Sequence, residues 1–264
     1  MTITTLDGLI AAAKQRLVLS KTASATSVAL SAQSVFAQAG NPGAGTLAGT
    51  STTTGVKPDD ATAGCPVINA FGGGATGYIA RVEWNNSVAC RIQLYDCLAK
   101  YGAYSFNANT SGNSPVDISS RVPGGTDFTG LELWYEQVTA GTLVQNVAAT
   151  YNDNGGTSRS TGTIAAPAAM ILGRMFQLPL AAGTLGIKGI TGVVGSVASA
   201  GTFNLLIMRP LGEARIRVAN DGVVQDMLST GMPQVFADSA LMMIVTPDST
   251  ATGLPEAIID IVNG

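Results

Sequence analysis

Gly77-Tyr78-Ile79-Ala80-Arg81-Val82-Glu83-Trp84 is the stretch whose reading decides the fold. Ala80, Val82 and Trp84 alternate with Arg81 and Glu83, a period of two that puts one row of side chains on each side of an extended chain. The alternation returns downstream. Cys90, Ile92 and Leu94 interleave with Arg91, Gln93 and Tyr95; Leu131, Leu133 and Tyr135 with Glu132, Trp134 and Glu136; Ile216 and Val218 with Arg215 and Arg217. Each reads as an antiparallel strand with one buried face. Phe203 to Met208 and Leu241 to Val245 are unbroken apolar runs, the pattern of central strands buried on both faces. Val144 to Tyr151 leads into Asn152-Asp153-Asn154-Gly155-Gly156, whose Asn-Gly pair signals a hairpin turn. Short strands parted by glycine-rich turns predict a mainly β body over 77–264, an antiparallel β-sandwich or jelly roll. No repeat of fixed length is visible, which disfavours a solenoid or propeller.

Residues 1–76 read differently, as a helical and extended arm. Leu6, Leu9, Ile10, Ala13 and Leu17 recur at helical spacing, with Thr5 as cap, Asp7 in the first turn and Lys14 and Arg16 near the end. Val28, Ala32, Val35, Phe36 and Ala39 form a second stripe between a Ser27 cap and a Gly40-Asn41-Pro42 stop. Both helices are short and alanine-rich, so they need another surface to pack on. Thr46 to Gly64 is low-complexity. Such chain orders only when contacts offset its conformational entropy, so it is expected to lie against its own subunit or another.

Composition narrows the function. The 264 residues contain no histidine, and only 12% are charged. Histidine is the usual proton shuttle near neutral pH and the commonest metal ligand. Sparse charge removes much of what keeps a free monomer soluble. A net charge of −3 offers no basic excess for nucleic acid. The N-terminus lacks the pattern of a secretory signal. Gly189 to Met208 carries no charge over a membrane-spanning length, but its glycines and serines read as a turn between two strands. Cys65, Cys90 and Cys97 are odd in number and lack a CxxC spacing, so neither a disulfide framework nor a zinc knuckle is expected.

No catalytic constellation emerges. Gly72 to Gly77 contains G-x-G-x-x-G, but the chain that follows reads as a strand where a dinucleotide site needs a helix. There is no G-x-S-x-G elbow and no S-x-x-K motif. Glu132 and Glu136 share one strand face, and Asp59-Asp60 lies in a loop; solvated surface acids explain both. Asn152 to Gly155 begins like a calcium loop but lacks the distal glutamate, and turn chemistry accounts for it. The reading is a non-enzyme with no cofactor and no metal, built into an assembly. Trp84 is expected in the core. Trp134, set between Glu132 and Glu136, is expected to anchor an interface. With it, the apolar residues of the arm, Leu6, Leu9, Phe36, Leu47 and Val56, are the candidate interface residues.

Phe176-Gln177-Leu178-Pro179-Leu180-Ala181-Ala182-Gly183-Thr184-Leu185-Gly186-Ile187-Lys188 resembles a block found in structural proteins of tailed-bacteriophage virions. As there, a glycine–serine turn and an apolar strand ending in arginine, Phe203 to Arg209, follow it. Thr230 to Leu241 and the opening Thr4-Thr5-Leu6-Asp7-Gly8-Leu9 are similar in style. The resemblance touches both ends of the chain in short patches and implies a head-associated virion protein, such as a decoration (cement) or minor capsid protein. Its implied partners are the major capsid protein and copies of itself, with a homotrimer the first expectation. Its implied location is the capsid, assembled in the host cytoplasm. A cement protein needs extended backbone, small side chains and surfaces whose desolvation costs little. A tail or fibre protein recognising host glycan, and another capsid shell protein, are the alternatives.

Overall fold

The computed structural model describes residues 5–73, 75–106, 109–111, 115–141, 145–166, 170–195 and 200–264. The chain is mainly β, in three antiparallel sheets. The middle sheet runs in the order Met175–Leu178, Glu132–Thr139, Thr202–Ile216, Cys90–Ser105, Leu241–Pro247, Gln33–Ser34, with Ser51–Val56 added alongside Cys90–Ser105. Its two edges meet. Gln33 bridges Arg174, the Ser34 amide donates to the Gly173 carbonyl at 2.7 Å, and the Met175 amide donates to Ala32 at 2.9 Å. The middle sheet therefore closes into a barrel, which removes its exposed edges.

Two outer sheets pack on the outside of the barrel, one at each end of its two long strands. The first runs Asp221–Gln225, Gly77–Asn86, Glu256–Asn263, Lys14–Lys21, Gly40–Asn41, with Gln234–Val235 also on Gly77–Asn86. The second runs Ser158–Ser160, Asn146–Asp153, Ile187–Gly195, Asn109–Ser111, with Ile164–Ala165 also on Asn146–Asp153. Side-chain parity sorts the apolar residues into three cores. Ile92, Leu94, Leu211 and Ile216 face Leu19, Ile79, Val82, Trp84 and Ile259 of the first outer sheet. Leu98, Tyr101, Phe203, Leu205 and Ile207 face Ala149, Tyr151, Ile190 and Val193 of the second. Tyr95, Cys97, Trp134, Met175, Leu206, Met208, Met242 and Ile244 fill the barrel interior. The long strands are buried on both sides because each side is the wall of a different core.

The N-terminal expectations need correction. The helix spans only Leu6–Ala11, where the Thr5 hydroxyl accepts from the Gly8 amide at 3.0 Å. Lys14–Lys21 is a strand paired with Glu256–Asn263, and it buries Leu17 and Leu19 two residues apart. The second helix does not form. Gln33–Ser34 pairs with Ile244 and Val245, and the neighbours Val35 and Phe36 enter different cores. A helix cannot send adjacent residues to opposite sides; an extended chain does. The cross-strand partners outweigh the weak helical preference of the segment. The low-complexity stretch lies on its own subunit: Ser51–Val56 joins Cys90–Ser105, Lys100 Nζ donates to the Thr46 carbonyl and Tyr104 Oη to that of Thr52, both at 2.8 Å. Strand pairing thus crosses the boundary drawn between 1–76 and 77–264.

Downstream, the alternation is confirmed with local shifts. Ala80 lies on the outer face because Asp260 pairs with Arg81 and Ile261 with Ile79, leaving one extra residue on the Gly77–Asn86 strand. The Asn152–Gly156 hairpin forms: Asp153 Oδ1 accepts from the amides of Gly155 and Thr157 at 3.0 and 2.8 Å. The left-handed position falls on Gly156, at φ 86°. Gly72–Gly77 leads into a strand. Gly189 to Met208 divides between the strands Ile187–Gly195 and Thr202–Ile216, while residues 196–199 of the expected turn lie outside the described residues. No helix among the described residues is long and apolar enough to cross a membrane. The three cysteines are free and buried.

Candidate interaction surface

Of the six expected interface residues, three turn inward. Trp134 is buried in the barrel, with its indole N–H donating to Glu132 Oε2 at 2.7 Å and its ring edge-on to Tyr95 at 5.7 Å. Phe36 and Leu47 are buried in the same core, and Lys100 Nζ sits 5.7 Å from the Phe36 ring centroid. The face taken for a polar exterior is the inside of a closed sheet, which alternation alone does not reveal. Leu9 is half-buried and Val56 is exposed, on different elements. Leu6 opens the helix, and its side chain lies outside the described residues.

The same closure changes the reading of the acids. Glu136 is fully buried where the N-terminal segment crosses the barrel. Asn204 Nδ2 donates to Glu136 Oε2 at 2.8 Å and to the Leu47 carbonyl at 2.5 Å, and Asn204 Oδ1 accepts from the Gly49 amide at 3.1 Å. Burial pushes the Glu136 carboxyl above its ordinary range, with Lys100 and Asn204 opposing. Glu132 is half-buried and also accepts from Tyr95 Oη at 3.0 Å.

A second buried cluster escaped the sequence reading. Asp96 lies between the two outer cores, on the side shared with Leu94 and Leu98. Its Oδ2 accepts from Arg209 at 3.1 Å and Ser239 at 2.8 Å; its Oδ1 accepts from the Ala240 amide at 2.9 Å, with Arg121 at 3.5 Å. Arg121 Nη1 also donates to the Asp238 carbonyl at 2.6 Å and Arg209 Nη1 to that of Gln234 at 2.8 Å. Burial lowers the pKa of Arg209 while Asp96 opposes this. The signal was a lone acid inside Leu94-Tyr95-Asp96-Cys97-Leu98, and an arginine closing an apolar strand. Both are costly to bury unless paired. The bonds around Asp96 tie separate segments of the chain together.

Two of the surface depressions among the described residues are candidates for contact. A groove of about 610 Å³ runs between the Leu6–Ala11 helix and the outer face of the first outer sheet. Leu9, Ile10, Ala80 and Val262 give it an apolar lining, and Ile10 is 63% exposed. Beside it lies a ladder of charges across three paired strands: Arg16 holds both oxygens of Asp260 at 2.7 and 3.0 Å, Arg81 stands 3.5 Å from Asp260 and 2.7 Å from Glu83. The Arg16 guanidinium holds the Asp260 carboxyl below its ordinary range. The ladder neutralises itself, and Lys14 adds one positive charge to the apolar lining. The second depression, about 530 Å³, is polar, lined by Asn85, Ser87, Asn220, Asp221 and Glu256 among others.

No family model matches the chain. None of the curated proteins matches it. A solved structure of the infectious bursal disease virus Gx strain aligns over 95% of this chain and 80% of that one, with 8% identity and a TM-score of 0.17. That likeness is too slight to carry an argument about this chain.

Proposed function

We propose that this protein is a non-enzymatic structural component of a bacteriophage virion, a decoration or cement protein that stabilises the head by multivalent contacts between capsomers. The observation that carries the reading is the largely apolar groove beside the N-terminal helix, set on a body whose middle sheet is closed and whose N-terminal segment is woven into it. A cross-tied body suits a part that bears load, and exposed apolar surface costs little to desolvate on docking. The sequence resemblance to virion structural proteins points the same way. Partners on this reading are the major capsid protein and other copies of the chain. Several weak contacts made at once become strong because each holds the others in place.

The test is binding to heads that lack the protein. Purified protein added back should coat them, and Ile10→Glu, at an exposed position, should reduce coating at least tenfold while melting as the wild type does. Coating by the variant at wild-type strength would remove the groove from the account. The glycan-binding alternative has the polar depression in its favour, since Asn, Ser, Asp and Glu side chains there offer the hydrogen bonds a sugar needs. Binding to host-surface polysaccharide, abolished by Asn220→Ala, would favour it.

A further inference from the structure

We propose that the edge strand Asp221–Gln225 pairs with the same strand of a second copy, antiparallel about a two-fold axis at Val223. This deepens the assembly reading and rests on it for its purpose.

The sheet edges of this chain are unequally protected. The middle sheet has closed on itself. The edges of the second outer sheet are three residues each, and Ser158–Ser160 carries Arg159. On the first outer sheet, Lys14–Lys21 is charged and covered: Asn41 Nδ2 donates to the Val18 carbonyl at 3.1 Å, and the Gln15 side chain brackets the backbone of Asn69 at 2.9 and 3.2 Å. These are the devices that keep a sheet from pairing with another chain. Asp221–Gln225 has fewer of them: its one charge is Asp221, whose Oδ1 accepts from the Gly222 amide at 2.8 Å. It is five residues long, contains no lysine, arginine or proline, and pairs with Gly77–Asn86 on one side. Among the described residues, no other strand pairs with its outer side. Alternate N–H and C=O groups of such a strand point outward, so the occupant must be an extended backbone.

The flanking residues favour a second copy as that occupant. Pairing about Val223 sets Asp221 opposite Gln225 and Gly222 opposite Val224, so no like charges meet. The same two-fold brings the Val218 turn of one copy beside the Leu228 helix of the other. Val218, Val224 and Leu228 are 63%, 57% and 83% exposed, three large apolar side chains on one short edge. By the same two-fold, Arg217 falls opposite Ser229, and Asp226, whose Oδ1 caps the Leu228 and Ser229 amides, falls opposite Asn220. Arg217 is exposed and makes no ion pair among the described residues. An isologous contact of this kind closes after two copies. It can join neighbours on a lattice, and a trimer would use another surface.

Sedimentation velocity of the purified protein tests this, with hydrogen exchange as a second readout. The account predicts a concentration-dependent dimer in which the amides of 221–225 gain protection. Val224→Lys, at an exposed position, should weaken dimerisation at least tenfold, whereas Val67→Lys, at a more exposed position elsewhere, should not. A monomer at every concentration, or a Val224→Lys dimer as tight as the wild type, would overturn the proposal. Head coating by a strictly monomeric protein would leave the virion reading standing while this contact fell.

Discussion

Trp134, Glu136 and Asp96 show how much a single side chain depends on what lies across the sheet. Trp134→Ala empties a tightly filled barrel interior and leaves Glu132 without its indole donor; the expected cost is about 3–5 kcal/mol, read as a lowered midpoint in urea denaturation. Subunit association should change only in proportion to folding, since the ring faces inward. Asp96→Asn leaves two arginines in a dry seam with one neutral partner, and should cost about 3–5 kcal/mol by the same measurement. Glu136 works in the opposite sense. Its folded pKa lies above the unfolded value of 4.5, so its contribution to stability is full at acid pH and is lost as pH rises through the folded value. Glu136→Gln should therefore raise the melting temperature at neutral pH and converge on the wild type below about pH 4.5. A variant no more stable than the wild type at pH 7 would contradict the burial argument. Asp260 and Asp153, both lowered, destabilise the fold on acidification in either protein, so the difference between the two melting curves is the quantity to follow.

At the scale of elements, what was legible was alternation, and what was not was closure. The period of two in Cys90–Ser105, Glu132–Thr139 and Thr202–Ile216 located the strands. It assigned Glu132 and Glu136 to solvent and Trp134 to an interface because a strand pattern reports two faces but not what covers each. Polar residues at the ends of a barrel interior mimic an outer face. The N-terminal stripes failed for a related reason. Val35 and Phe36 fit a helical face as well as they fit two cores on either side of an extended chain, and only the distant partners Ile244 and Val245 decide between them. Gln33–Ser34 is short, yet it closes the middle sheet. Ser34→Pro removes the amide bound to Gly173 and should cost about 3 kcal/mol, with faster hydrogen exchange along Met175–Leu178. Unchanged exchange there would show that the sheet is held without that closure.

For the whole molecule, the central proposal is that this body is a building part and that two of its exposed apolar surfaces, the groove at the helix and the open edge at Asp221–Gln225, are places where other chains sit. Sparse charge and missing histidine led to the expectation of assembly, and no residue pattern told which surfaces were spared from the core. Those emerged only once Phe36, Leu47 and Trp134 were seen to be spent inside. The most direct measurement is the position and copy number of the protein in purified particles, by cryo-electron microscopy with quantitative mass spectrometry. The account predicts many copies on the outer surface of the head, seated between capsomers. Finding the protein only at the tail tip, or absent from the particle, would contradict it.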